Sequence, residues 1–442
     1  MAQMSYAVKK WMVDRRENRF PNTVAMAHFS PQTQMVTLDQ YEKDDLPKAL
    51  VAEDHGKVAE IMATISHEMA HWADVVGTIW GRAYLKRIYK GFRQLPTKDS
   101  PPKESDFASF IDLHDETRRL TFPKYYQTVF ESKETHSARH PWQISFSAGQ
   151  EIDAYGRLDP SRPILFVCFH DNRTGDRLIR QPMTVGALLE TIAVASEYDT
   201  LRAILLGKVP APKQKEVGEG IHAGLLSRLY EPSLTLYSAP VHLLAHFARI
   251  SDAALAYDLA ATIAHVCLNL CERQFRDILL PDIMAPWSAL FPSFKERENR
   301  AFAFAVICSN LGHWQDGNNK DTWIDAALKQ SGLPGRRSIL DRALEAIAMQ
   351  KPGSRATHLD DAENYMLELG LGVAMGRKKG PTFGPLQAQS YVGVIPPMFD
   401  SNGEIYLLPN SRFDFTRFDP ETMIRLDEGL YEYTRNLLTG CR

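Results

Sequence analysis

The feature that most constrains this chain is a proline-free segment from Lys57 to Tyr89 in which apolar residues recur at intervals of three and four. That spacing places apolar side chains on one face of a helix. The segment is therefore predicted to form one helix buried on its apolar face. The apolar positions around its centre are Ile61, Met62, Ile65, Met69, Trp72, Val75 and Val76.

The same segment contains the pattern His-Glu-x-x-His, as His67, Glu68 and His71. Residues four apart lie one above the other on a helix, so the two imidazoles can bind one ion. Glu68 lies about 100° round the helix from His67 and can reach a water on the metal. Zinc lowers the pKa of such a water towards about 7, and a glutamate can accept its proton and pass it to the leaving amine.

A chance occurrence of this pattern is the alternative to a metal site. The apolar flanks argue against chance, because two histidines and a glutamate buried together without a metal would be costly. Spacing, residue types and helical context agree on one zinc ion held by His67 and His71, with Glu68 as the catalytic residue.

On these residues the chain resembles the zincin metallopeptidases. Metzincins extend the motif to a glycine and a third histidine or aspartate, but here Asp74 and Gly77 stand at those positions. The resemblance is therefore closer to the gluzincins, in which a glutamate on a later helix completes the site. It implies a protein or peptide substrate.

Catalytic zinc takes three protein ligands and leaves one position open for water. Glu190 is the preferred third ligand, because it stands on an apolar helix in GALLETIAVASE, where a lone carboxylate needs a partner. Glu197, seven residues on, is a second candidate or an acceptor for a histidine N–H. The remaining alternatives are Glu151, Asp153 and Asp74. Asp74 is better explained by a surface ion pair with Arg82, or as a residue that contacts a metal ligand rather than the metal.

The rest of the chain predicts an α+β fold that is mainly α-helical. Residues 162–182 contain two strands around Asn172 and Gly175, a β-hairpin signal. We expect this hairpin to supply the substrate-edge strands of a zincin. Thr184 is the predicted N-cap of the helix that follows. Residues 1–210 are predicted to form a zincin-like core, and residues 211–442 a mainly helical region packed with it.

Composition narrows the class of protein. The 51 basic and 54 acidic residues give a net charge of −3, which argues against nucleic acid as a partner. Five cysteines without repeated spacing argue against a disulfide framework. No signal-peptide core and no apolar run of membrane-spanning length stands out. We therefore expect a cytoplasmic protein without a membrane span.

Three further features have simpler explanations. His242 and His246 repeat the four-residue spacing, but two partly buried helix histidines are favoured over a second metal site. One of these histidines, or Tyr237, is a candidate for the donor that polarises the scissile carbonyl in the transition state. Cys267 and Cys271 are expected to pack in a helix core. The basic run Arg377-Lys378-Lys379 is interpreted as a solvated loop.

The leading hypothesis is a zinc-dependent metallopeptidase with His67, His71 and Glu190 as ligands. Two alternatives stay open. One is a zinc hydrolase of a non-peptide amide or ester, since the same water activation serves both. The other is a protein-binding scaffold with a structural metal, although structural zinc sites are closed by four ligands, usually with cysteine.

Overall fold

The computed structural model describes residues 26–96, 104–121, 126–130, 141–152, 157–350 and 357–440. The fold is α+β and mainly helical, as predicted, with 62% helix and two four-stranded sheets. The strands are β1 (His28–Ser30), β2 (Met35–Thr37), β3 (Thr128–Val129), β4 (Gln143–Ile152), β5 (Leu158–His170), β6 (Arg177–Pro182), β7 (Met398–Phe399) and β8 (Ile405–Tyr406).

The helices before residue 250 are α1 (Asp45–Val51), α2 (His55–Gly77), α3 (Ile79–Arg93), α4 (Glu104–Thr121), α5 (Val185–Lys208), α6 (Ala211–Leu229) and α7 (Thr235–Ala248). Those after it are α8 (Ala253–Leu268), α9 (Glu272–Asp277), α10 (Phe291–Glu296), α11 (Arg300–Ser309), α12 (Lys320–Gln330), α13 (Arg336–Ala348), α14 (His358–Gly376), α15 (Pro385–Tyr391) and α16 (Pro420–Gly440). In the part of the chain that the structure describes, no helix has the length and apolar character required to cross a membrane.

The segment predicted as one helix is divided into α2 and α3 at Thr78. Thr78 is extended, with φ −121° and ψ 160°. Its hydroxyl accepts the backbone N–H of Gly81 at 3.0 Å and donates to the carbonyl of Asp74 at 2.6 Å. One side chain thus ends α2 and caps α3, so the prediction of a single helix is wrong at this residue. The apolar period continues across Thr78 and gives no sign of the break.

The chain divides into two compact units, and α2 lies in the first. This unit contains residues up to Leu113, Ser196–Gln214 and the residues from Ile347 on. Its sheet has the order β1-β2-β7-β8, with β2 and β7 parallel and the other pairs antiparallel. Helix α2 packs on β1 and β2 on this sheet, and on α14.

Helix α14 lies very close to the end of α2. A Cβ atom at Gly77 would be 2.7 Å from Cγ1 of Val373 in α14, a distance that real Cβ atoms do not show. Glycine at this position therefore allows α14 to pack directly on the last turn of α2, the turn that follows His71 and Asp74.

The second unit contains residues His114–Ala195 and Lys215–Ala346. The predicted hairpin is confirmed, since β5 pairs with β6 in antiparallel fashion and Gly175 takes a φ of +76° in the turn. Its interpretation as edge strands is wrong, because β5 and β6 lie inside the order β3-β6-β5-β4 and the outer described strands are β3 and β4. The division at residue 210 that the sequence suggests stays a prediction.

His242 of α7 lies in an aromatic cluster of the second unit. Its ring centroid is 5.1 Å from that of Trp142, 5.2 Å from Phe169 and 5.3 Å from Tyr230. Its Nε2 donates to the carbonyl of Leu229 at 2.7 Å. Burial lowers the pKa of His242 to about 4, against the opposing effect of this hydrogen bond. His242 is thus a buried packing residue, as predicted, whereas His246 is exposed.

Acid should destabilise the second unit through His242. An unfolded histidine has a pKa of about 6.5, so the unfolded chain takes up the proton first as the pH falls. The contribution of His242 to the free energy of unfolding is fully present above pH 6.5 and is lost as the pH falls towards the folded pKa of about 4. The difference between the unfolded and folded pKa values corresponds to about 3 kcal/mol.

Urea unfolding at pH 7 and pH 5 should show a weaker pH dependence of the free energy of unfolding in His242→Gln than in the wild type. The exposed His313→Gln should keep the wild-type dependence, and an unchanged dependence in His242→Gln would contradict this account.

Candidate metal centre

The structure brings together the three residues predicted as metal ligands. His67 and His71 are half-buried on one face of α2, with ring centroids 5.1 Å apart and planes at 80°. Glu190 is half-buried on α5. One ligand atom from each of the three residues lies within 4.8 Å of the others. Donors around a tetrahedral zinc ion lie about 3–4 Å apart, so small side-chain rotations would close this group on an ion.

The position of Glu190 follows from the sequence of α5. Thr184 caps this helix as predicted, since its hydroxyl accepts the N–H of Ala187 at 3.4 Å. The residues around Glu190 are apolar and buried, including Leu188 and Ile192, neither of which is exposed. A carboxylate among such neighbours needs a cation or a hydrogen-bond donor. The imidazoles of His67 and His71 lie close to it, and a metal held by the three residues would meet that requirement.

Glu197 contacts the site in a different way. Its Oε2 lies 3.4 Å from Nδ1 of His67, and both side chains are mostly buried, with 17% and 15% exposed. Glu197 does not belong to the three-residue group. A carboxylate at Nδ1 orients the imidazole and leaves Nε2 to face a metal. The contact therefore favours the orienting role over ligation for Glu197.

Glu68 lies beside His67 on α2 and is 7% exposed. The other buried acidic residue of α2 is Asp74, in its last turn, whereas Glu60 near the start of the helix is exposed. Burial of two carboxylates on one apolar helix is unusual in a protein without a charged or metal site. Glu68 thus follows the candidate ligand His67 directly in α2 and is almost fully buried.

The predicted surface ion pair between Asp74 and Arg82 is wrong. Asp74 Oδ1 accepts from Nη1 of Arg377 at 2.6 Å, and neither side chain is exposed. Arg82 is buried elsewhere, where it donates to the carbonyls of Val76 and Leu367. Burial raises the pKa of Asp74, opposed by the positive charges of Arg377 and His71. The interpretation of the basic run as a solvated loop is therefore wrong for Arg377, although Lys378 and Lys379 are exposed.

The other candidate ligands among the described residues do not belong to the three-residue group. Glu151 is in β4, and Asp153 lies outside the described residues. Cys267 is buried in α8, and burial raises the pKa of its thiol, as expected for a packing residue. In the described ranges, no second group of three histidine, cysteine or acidic side chains comes together in this way. Arg377 is the residue that sequence reasoning missed, because its partner is 303 positions away.

Comparison with known proteins adds no relative. No family model matches the chain, and neither a curated protein nor a solved structure matches it. The site is therefore defined by its own residues and geometry.

Replacing Glu197 tests its orienting role. Glu197→Gln keeps the shape of the side chain but removes its negative charge, so His67 loses the group that fixes its ring. Zinc affinity, measured by competition with a chelator, should fall about 10–100-fold. Glu219→Gln, an exposed site on α6, is the matched control and should bind zinc as the wild type does. Equal affinity in the two variants would show that Glu197 does not orient the ligand.

Proposed function

We propose that the protein is a zinc-dependent hydrolase of the gluzincin type that cleaves a peptide bond. The observation that carries this proposal is the group His67, His71 and Glu190, drawn from two helices, with Glu68 adjacent on α2. Two imidazoles and one carboxylate are the donor set of a catalytic zinc site.

The donor set fits zinc chemically. Imidazole and carboxylate donors on rigid helices suit this ion, and cysteine is not among them. Three protein donors leave a coordination position open, whereas a structural site is closed by four. Within the described residues the group has three members. This supports a catalytic site over a structural metal.

The chemistry assigned to Glu68 follows from its position. When bound, zinc acts as a Lewis acid that lowers the pKa of water towards about 7. The carboxylate of Glu68 accepts a proton from the attacking water and donates it to the leaving nitrogen. Its burial keeps competing solvent away from the carboxylate during this transfer.

The peptide substrate is supported by a strand next to the metal helix. Strand β1 packs near α2 and, of the described strands, has a hydrogen-bonded neighbour on one side, β2. The edge of a sheet can bind an extended peptide as an additional strand. An edge of this kind would bind an extended peptide chain, which a small ester or amide would not require.

Replacing the proposed base separates catalysis from metal binding. Glu68→Gln should keep zinc, because Glu68 is not a ligand, and should lower hydrolysis about 10²–10⁴-fold. The assay is cleavage of a mixture of unstructured peptides, read by mass spectrometry of new termini. Glu60→Gln on the same helix is the matched control, since it is exposed and its amide oxygen can still accept from Tyr41.

The same assay distinguishes the alternatives. Zinc-loaded wild type that hydrolyses an activated ester but no peptide would move the substrate to a non-peptide class. Zinc-loaded protein inert towards both would contradict the hydrolase and leave a binding scaffold. Full peptide cleavage by Glu68→Gln would assign the proton transfer to another group.

A further inference from the structure

Asp74 is buried in a way that ion pairing with Arg377 does not fully explain. The side chain is not exposed, and its Oδ1 is bound by Arg377. Its other oxygen, Oδ2, is buried and has no hydrogen-bond partner among the described residues. An unsatisfied buried carboxylate oxygen is costly, so a donor for Oδ2 is expected nearby.

His71 is the candidate donor for Oδ2. It stands three residues before Asp74 on α2, so the two side chains share one face of the helix. Helical side chains tilt towards the N-terminus, which directs the carboxylate of Asp74 onto the turn that carries His71. An imidazole that binds a metal through one nitrogen carries an N–H on the other.

Arg377 holds Asp74 in this orientation from outside the helix. Its Nε and Nη2 both donate to the carbonyl of Pro381, at 2.9 and 2.6 Å, and its Nη1 donates to Asp74, so three hydrogen bonds to two acceptors hold the guanidinium. Arg377 is 1% exposed. One oxygen of the Asp74 carboxylate is therefore bound to a buried cation that is itself held by Pro381.

The loop 377–384 also joins α2 to α5. The N–H of Phe383 donates to Oγ of Ser196 on α5 at 3.1 Å, and its ring lies 6.2 Å from that of Trp72 on α2. A Cβ at Gly384 would be 2.7 Å from Oγ of Ser66, so the loop backbone lies directly on α2. The loop that holds Arg377 thus contacts both helices of the metal centre.

We propose that Asp74, fixed by Arg377, is a positioning residue for the metal ligand His71. Oδ2 accepts the ring N–H of His71, which sets the tautomer and the ring orientation in which the other nitrogen faces the metal. This rests on the proposed function only in taking His71 as a metal ligand. Metal-binding histidines commonly have such a carboxylate or carbonyl acceptor, and its loss weakens metal binding.

Asp74→Asn gives a sharp test because the amide has one acceptor and two donors. Its oxygen stays on Arg377 and its NH₂ group then faces His71, which favours the wrong tautomer. Zinc affinity by chelator competition should fall about 10–100-fold. Asp400→Asn makes the same replacement at another buried carboxylate, which accepts the backbone N–H groups of Asn402 and Glu404 and has no part in the proposed site. It should bind zinc as the wild type does, even where thermal unfolding shows a similar loss of stability.

A spectroscopic readout separates positioning from a merely structural role. Co²⁺ in place of zinc should give a visible absorption spectrum that changes in Asp74→Asn and not in Asp400→Asn. Arg377→Lys keeps the positive charge but cannot make all three hydrogen bonds of the guanidinium, so it should show a smaller loss of affinity. It also provides the comparison if Asp74→Asn does not fold.

The wild type offers a test without any variant of Asp74. In zinc-loaded protein labelled with ¹⁵N-histidine, His71, assigned by its absence in His71→Ala, should show a ring N–H protected from solvent exchange. A rapidly exchanging N–H, or wild-type affinity and spectrum in Asp74→Asn, would overturn the positioning role while the metal site stands. Wild type and His71→Ala with equally weak zinc binding would instead overturn the site itself.

Discussion

The structure depends on the need to satisfy polar side chains that an apolar helix buries. Helix α2 takes Glu68 and Asp74 out of solvent and half-buries His67 and His71. Burying such groups is unfavourable unless each has a partner. For Asp74 the partner is the equally buried Arg377, and removing one member of a buried pair costs about 3–5 kcal/mol. The sequence of α2 therefore requires α14 and the loop after it to lie where they do.

Helix α5 provides carboxylates that lie near the two histidines of α2. Glu190 and Glu197 are seven residues apart, two helical turns, and so lie on one face. The first joins His67 and His71 in a group within 4.8 Å, and the second contacts Nδ1 of His67. One helix face thus provides a candidate ligand and a group that orients another ligand. The rigidity of a helix keeps both carboxylates in place, which a loop would not do.

Local sequence patterns predicted much of the fold and of the site, but contacts between residues far apart in sequence could not be predicted from them. The α+β class, the hairpin around Gly175 and the Thr184 cap follow from periodicity and turn chemistry. Glu190 was found because a lone carboxylate on an apolar helix face needs a partner. The break at Thr78 was missed, since it rests on two hydrogen bonds of one hydroxyl. The Asp74–Arg377 pair joins residues 303 positions apart, and no local signal marks it.

Metal content tests the central claim most directly. Protein purified without chelator should carry about one zinc per chain by inductively coupled plasma mass spectrometry, as a single catalytic site requires. His71→Ala and Glu190→Gln should each lose the metal, whereas His55→Ala, an exposed histidine at the start of the same helix, should keep it. Wild-type protein without metal, or full zinc content in both ligand variants, would contradict a site formed by α2 and α5.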